Sequence, residues 1–328
     1  MHFRYLVNCA VSLALMFFSV VSQADYSQNE STKAFMAEMI KKHQFEQNEL
    51  LLIFTEAEKK DSILKAISRP AEKRLEWEGY RKIFLTKDRI KKGKAFLKAN
   101  QSTLSRAEQK YGVPAHIITS IIGVETRYGQ HKGNYRVVDA LSTLAFDYPP
   151  RSKFFKSELE QALLLSKEQG FKPLELTGSY AGAMGYGQFI PSSYRHYAVD
   201  FDGDNVADIL DNPIDAIGSV ANYFAKHKWR SGQAVTFKLE ADMLGGKHKE
   251  ILHDKLKPVH TLGELKAAGL LIPENYDLST KAKLQVLQGS AGTEYWVTLH
   301  NFYVITRYNH SHLYAMAVYQ LAEELRQP

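Results

Sequence analysis

Two groups of residues have the types and spacing that chemistry needs. The first centres on Glu125, in the stretch PAHIITSIIGVETRYGQ at residues 114–130. Ile117, Ile121 and Glu125 fall four residues apart, with Ile118 and Ile122 beside them, so at helical period all five share one face. A carboxylate that ends such an apolar stripe points toward the core. Burial there disfavours the charged form and raises the pKa, which suits a proton donor near neutral pH. The structural alternative is a rim carboxylate paired with Arg127.

The second group is DFDGDNVADILD, residues 200–211. Carboxylates at loop positions one, three and five (Asp200, Asp202, Asp204), at nine (Asp208) and at twelve (Asp211) match an EF-hand calcium loop, with the Val206 carbonyl at position seven. Hard oxygen ligands at alternate positions can wrap a calcium ion. Asn205 stands where glycine is usual, but asparagine tolerates the left-handed backbone required there. Asp211 replaces the usual glutamate with a shorter arm, and whether Asp208 or Asn212 joins the shell is open. The alternative is an Asx-rich turn without metal.

The elements that must position these groups are mostly helical. Pro114 suits the first turn of the helix that carries Glu125. Residues 27–110 space their apolar residues three or four apart between charges, as in STKAFMAEMIKKH and STLSRAEQKYG. RVVDALSTLAFDYPPRSKFFKSELEQALLLSKEQG reads as two helices about the turn Asp147-Tyr148-Pro149-Pro150. TGSYAGAMGYGQFIPSSY then carries Gly178, Gly182, Gly185 and Gly187. The spacing, without a following lysine, excludes a phosphate-binding P-loop. It fits close approach of backbone to a bulky ligand or another helix, with Ser179 and Gln188 the polar groups that face it. NPIDAIGSVANYFAKHKW is a helix leaving the acidic loop. QAVTFKLEA, KAKLQVLQG and EYWVTLHNFYVI read as strands. TRYNHSHLYAMAVYQLAEELRQ returns to an amphipathic helix.

The expected organisation is therefore mainly α (α+β). It comprises a helical unit at 25–110, a core at 111–232 with the acidic loop at 200–211, a small β-rich insertion at 233–300, and a return to the core at 301–328. Residues 1–24 have the pattern of a signal peptide: Arg4, an apolar run, and Ser22-Gln23-Ala24 as a cleavage site. The one cysteine, Cys9, lies there, ahead of the apolar run, which argues against bacterial-type lipidation. The remainder has no cysteine for an internal disulfide. A net charge of +6 favours an acidic partner, and with no basic block or nucleic-acid motif a nucleic acid is not expected. Eighteen tyrosines and seventeen phenylalanines suit both a core and a sugar-stacking groove. His116, His131 and His312 make no zinc pattern and read as structural.

GVETRYG, AGAMGYGQFIPSSY, DFDGD, DAIGSVANYF and NFYVITRYNHS, in this order, resemble the membrane-bound lytic murein transglycosylase B family. The resemblance runs from about Tyr80 to the C-terminus and is weakest over 233–300. It implies a lysozyme-like helical core, an added helical domain, a small β domain and an EF-hand-like calcium site. It also implies cleavage of the β-1,4 bond between N-acetylmuramic acid and N-acetylglucosamine in peptidoglycan without net hydrolysis, leaving 1,6-anhydromuramoyl ends. Glu125 matches the family's catalytic glutamate. Substrate contacts carry over to Tyr80, Arg151, Ser179, Gln188, Tyr223, Tyr308, Asn309 and Tyr314. Calcium is the one cofactor implied. The chain departs from the family at Pro150, where an arginine is common, and at Phe154, where a tyrosine is expected. The expected protein is a lipid-free periplasmic monomer acting on glycan strands, with proteins of cell-wall synthesis or division as the kind of partner it would meet. A hydrolytic muramidase, with Glu158 as second carboxylate, and a non-catalytic peptidoglycan-binding protein are the alternatives.

Overall fold

The computed structural model describes residues 25–68, 75–240, 243–244 and 246–327, so the leader read at 1–24 lies outside the described residues. The first α-helices among the described residues are α1 (Glu30–His43), α2 (Gln47–Glu56) and α3 (Asp61–Ile67). Next come α4 (Trp77–Phe84), α5 (Lys87–Ala99) and α6 (Gln101–Tyr111), then α7 (Ala115–Thr126), which carries Glu125. The two-residue strands β1 (Tyr135–Arg136) and β2 (Thr177–Gly178) pair antiparallel around α8 (Val137–Phe146) and α9 (Ser152–Gln169). Helices α10 (Pro191–Tyr197) and α11 (Pro213–Lys226) flank the acidic loop.

Helix α7 sits at the centre because its sequence is apolar nearly all round. Ile117, Ile118, Ile121 and Ile122 are buried, and Thr119 and Ser120 are buried with them. A helix of that kind needs neighbours on every side. It is packed by α5, α6, α11 and α14. The Ser120 hydroxyl meets its burial by donating to the Val318 carbonyl at 2.6 Å.

Two large hydrophobic clusters build the helical body. One joins α4–α7 and α11 with the C-terminal helices. The other joins Phe35, Leu50, Phe54 and Ile63 of the first three helices to Leu141, Leu144, Phe155 and Leu159 of α8 and α9. The 25–110 stretch is therefore divided: its first half packs with α8 and α9, α4 packs on α14, and α5 and α6 pack on α7. Nothing in the local periodicity distinguishes these destinations.

The β-rich insertion forms one antiparallel sheet, order β3-β6-β5-β4, from Thr236–Leu239 (β3), His260–Thr261 (β4), Lys281–Gly289 (β5) and Gly292–Thr298 (β6). Helix α12 (Leu262–Ala267) covers it through Leu262 and Leu265, and a capping box between Thr261 and Glu264 starts that helix. One segment read as strand differs. EYWVTLHNFYVI leaves the sheet at Thr298 and becomes helix α13 (His300–Tyr308). Phe302, Ile305 and Val304 follow a helical period into the main core, and the buried Asn301 side chain holds the helix start, accepting from Arg230 N and donating to Arg230 O and Gln233 O. The C-terminal stretch read as one helix is thus two, α13 and α14 (His312–Arg326), broken at Asn309–Ser311. Among the described residues no helix is long and apolar enough to cross a membrane.

Candidate active site and acidic loop

Glu125 lies in the last turn of α7, one residue before its end. Beyond it Arg127, Tyr128 and Gly129 all take left-handed backbone, with φ of 50°, 62° and 86°. Arg127 N–H returns to Gly123 O and Tyr128 N–H to Ile122 O, each at 3.2 Å, so the helix stops abruptly. Thr126 ties this end to the glycine-rich loop. Its Oγ1 lies 2.9 Å from Tyr186 O and accepts from Gly129 N–H at 3.0 Å.

The carboxylate meets Tyr314, in the first turn of α14, whose Oη donates to Glu125 Oε1 at 2.5 Å. Surrounding protein pushes the Glu125 pKa up to about 7, and the bond from Tyr314 pulls in the opposite direction. Glu125 nevertheless keeps partial exposure, so the acid is desolvated but open on one side. Burial and the Glu125 charge hold the Tyr314 and Tyr308 hydroxyls well above the usual phenol range. Both remain protonated donors at neutral pH. Tyr80 is raised by burial and, second, by Glu125. Three of the expected contact tyrosines therefore gather round the acid. Tyr80 also lines a cavity of about 470 Å³ with Leu75, Phe84, His312 and Leu313.

The glycine-rich loop approaches from the other side. Tyr308 Oη donates to Gly187 O at 2.6 Å, and a Cβ at Gly187 would come within 2.7 Å of that hydroxyl. Gln188, left-handed at φ 52°, donates from Nε2 to Lys132 O and Gly185 O at 3.0 Å each. Ser179 closes a tight turn instead of projecting freely: its Oγ accepts from Ala183 N–H at 3.1 Å. Other expected contacts are engaged elsewhere. Tyr223 is buried and donates to Arg307 O at 2.6 Å, so its hydroxyl serves the core. Arg151 is exposed and stacks on Phe154 and Phe155, 4.4 and 4.9 Å from their ring centres. Asn309 is exposed at the break between α13 and α14. Glu158 is buried and accepts from Ser192 N–H and Ser192 Oγ, at 2.9 and 2.8 Å, which makes it the anchor of α10.

In the acidic loop, oxygens of Asp200, Asp202, Asp204 and Asp215 lie within 4.8 Å of one another. Asp200 accepts from Gly203 and Asn205 N–H, and both those residues are left-handed, as the asparagine substitution allows. Val206 N–H is bonded to Asp204 Oδ1 at 2.8 Å. Asp211 does not join: it pairs with Lys132 Nζ at 2.5 Å. The fully buried Asp215, in the first turn of α11, joins the cluster instead. Asp208 accepts from Leu210 and Asp211 N–H, which turns the chain away from the twelve-residue pattern. Four carboxylates and no softer donor fit a hard divalent ion such as calcium.

Sequence reasoning missed Asp215 because it lies beyond position twelve. It missed Thr126 and Tyr128 because their contacts, with Tyr186 and Gly93, are distant in sequence.

The family model described as the transglycosylase SLT domain matches residues 27–323. The chain is 42% identical over 308 residues to membrane-bound lytic murein transglycosylase B of Escherichia coli (strain K12), covering 91% of this chain and 83% of that protein. The structure is similar to the crystal structure of catenated lytic transglycosylase SltB1 from Pseudomonas aeruginosa, with a TM-score of 0.88, 50% identity, and coverage of 92% and 98% of the two chains. It is also similar to the Escherichia coli lytic transglycosylase Slt35 in complex with calcium, with a TM-score of 0.83, 43% identity and coverage of 92% and 94%. A desolvated glutamate held by a tyrosine, within a chain matched over nearly its whole length, leads to one assignment: the protein belongs to the transglycosylase SLT domain family.

Proposed function

We propose that this lytic transglycosylase cleaves the β-1,4 bond between N-acetylmuramic acid and N-acetylglucosamine in peptidoglycan, with Glu125 as its single acid and base. Protonated Glu125 gives its proton to the glycosidic oxygen as the bond to muramoyl C1 breaks. The oxocarbenium-like centre is assisted by the sugar's own N-acetyl group. Glu125, now ionised, takes the proton of the muramoyl C6 hydroxyl, whose oxygen closes on C1 as a 1,6-anhydro ring. The acid ends as it began and no water enters.

The observation that carries this reading is the state of Glu125: burial lifts its pKa to about 7, and among the described residues no acidic side chain is one of the groups that perturb it. A hydrolase of the two-carboxylate kind needs a partner acid to hold water. Glu158, the carboxylate considered for that role, is occupied in capping α10. Tyr314 aims the acid, and Tyr80 and Tyr308 line the approach. Gln188, Ser179, Arg151 and Asn309 are the polar groups along the groove, and Tyr223 supports it from behind.

Asp200, Asp202, Asp204 and Asp215 would hold calcium, with the Val206 carbonyl available to complete the shell. A bound ion would tie together the loop before α11 and would supply structure, not chemistry. The leader-like residues 1–24 support export to the periplasm, where a monomer meets its glycan strands. The test is Glu125→Gln: glycan cleavage is lost while the fold remains. Retained cleavage would remove Glu125 from the reaction.

A further inference from the structure

The turn that ends α7 is expensive. Two of its three consecutive left-handed residues, Arg127 and Tyr128, carry side chains, and that conformation is strained for both. What offsets that cost is visible in how the Tyr128 ring is seated. The ring is buried and lies where two helices have no side chain. A Cβ at Gly93, in the middle of α5, would come within 2.3 Å of Tyr128 Oη, and a Cβ at Gly123, in α7, within 2.6 Å of the ring. Glycine inside a helix is less favourable than alanine, so both helices give up stability to leave this socket. Phe96 closes one side, with ring centres 5.7 Å apart.

The hydroxyl end of the ring lies against both glycines. Tyr128 Oη has no hydrogen-bond partner among the described residues, and neither have Nε and Nη1 of the buried Arg89. What the glycines accommodate is the shape of the ring.

We propose that Tyr128 is a positioning residue for Glu125: wedged in the Gly93–Gly123 socket, its ring holds the left-handed turn that ends α7 and so fixes the carboxylate against Tyr314. The inference rests on Glu125 as the acid/base. If the ring is removed, the returns to Ile122 O and Gly123 O loosen. The last helical turn, with Glu125 in it, then shifts relative to α14.

The test compares Tyr128→Leu, Gly93→Ala and Tyr128→Phe with the wild type on purified peptidoglycan, well below every melting temperature. Tyr128→Leu empties the socket. Gly93→Ala fills it from the opposite helix, its methyl meeting Tyr128 Oη and Leu325 Cδ2, and it decides the matter if Tyr128→Leu does not fold. Both are expected to lower kcat by roughly 10- to 100-fold with little change in KM. In both, the basic limb of the pH profile moves down toward ordinary carboxylate values. Tyr128→Phe should keep kcat and the limb. Unchanged kcat and limb in a folded Tyr128→Leu or Gly93→Ala would overturn the proposal, as would a Tyr128→Phe variant as impaired as Tyr128→Leu. Glu125→Gln run alongside separates the two failures. If it stays active, the acid/base assignment falls. If it is inactive while the Tyr128 and Gly93 variants are normal, only the positioning role falls.

Discussion

Tyr314 Oη donates to Glu125 Oε1 across the seam between α14 and α7, joining residues 189 positions apart. The bond favours the ionised carboxylate, whereas burial favours the acid, and burial wins. The balance leaves Glu125 able both to give and to accept a proton near neutrality. It also fixes which carboxylate oxygen is held.

Removing that bond should therefore move the titration upward. In Tyr314→Phe the lowering contribution is gone, so the basic limb of kcat/KM, near pH 7 in the wild type, is expected at higher pH. The rate below that limb should fall roughly tenfold or more through lost orientation. A pH profile of the two enzymes checks both parts. A limb that moved down would mean that the tyrosine does not stabilise the ionised form of Glu125.

The same burial has a consequence for stability. A carboxyl whose folded-state pKa lies above its unfolded value contributes most when protonated, and that contribution is lost as pH rises through the folded pKa. For Glu125 the window runs from about 4.5 to about 7. Glu125→Gln carries no charge at any pH, so its melting temperature should match the wild type near pH 4 and exceed it at pH 8. A difference independent of pH would contradict the desolvation of Glu125.

Much of this site was legible in the chain. Glu125 at the end of an isoleucine stripe, the acidic loop and the glycine-rich stretch all have local signatures, because each depends on periodicity or spacing within a short segment. What was not legible depends on distant partners. Tyr223 and Tyr308 are of one type, yet one hydroxyl meets Arg307 O in the core and the other meets Gly187 O beside Glu125. Asp211 ends the loop and Asp215 follows it, yet Asp211 pairs with Lys132, about 80 residues earlier in the chain, while Asp215 turns into the cluster. The β-branched and aromatic run NFYVI looks extended by composition, but core contacts of Phe302 and Ile305 make it helical.

The metal cluster yields a prediction that discriminates between neighbours. Calcium should raise the melting temperature of the wild type, and chelation should lower it. Asp200→Ala and Asp215→Asn should abolish the calcium-dependent rise. Asp211→Ala should retain it, because Asp211 faces Lys132. Thermal unfolding with and without calcium reads all four. Loss of the rise in Asp211→Ala alone would restore the twelve-residue pattern.

Tyr223 provides a control for the groove. Its hydroxyl bonds a buried carbonyl, so Tyr223→Phe should cost about 1 kcal/mol of stability. KM for peptidoglycan should stay within a factor of two or so of the wild type, since the ring remains stacked in the core. Urea unfolding and steady-state kinetics measure the two quantities. A large rise in KM with unchanged stability would place Tyr223 against substrate.

The most direct test of one glutamate serving as acid and base, with the sugar as its own nucleophile, is digestion of peptidoglycan in heavy-oxygen water followed by mass spectrometry of the released muropeptides. The expected products are 1,6-anhydro ends, lighter by one water than reducing ends and free of the heavy isotope. Reducing ends that carry the label would show that water attacks C1, and would contradict a mechanism in which Glu125 returns its proton from the muramoyl C6 hydroxyl.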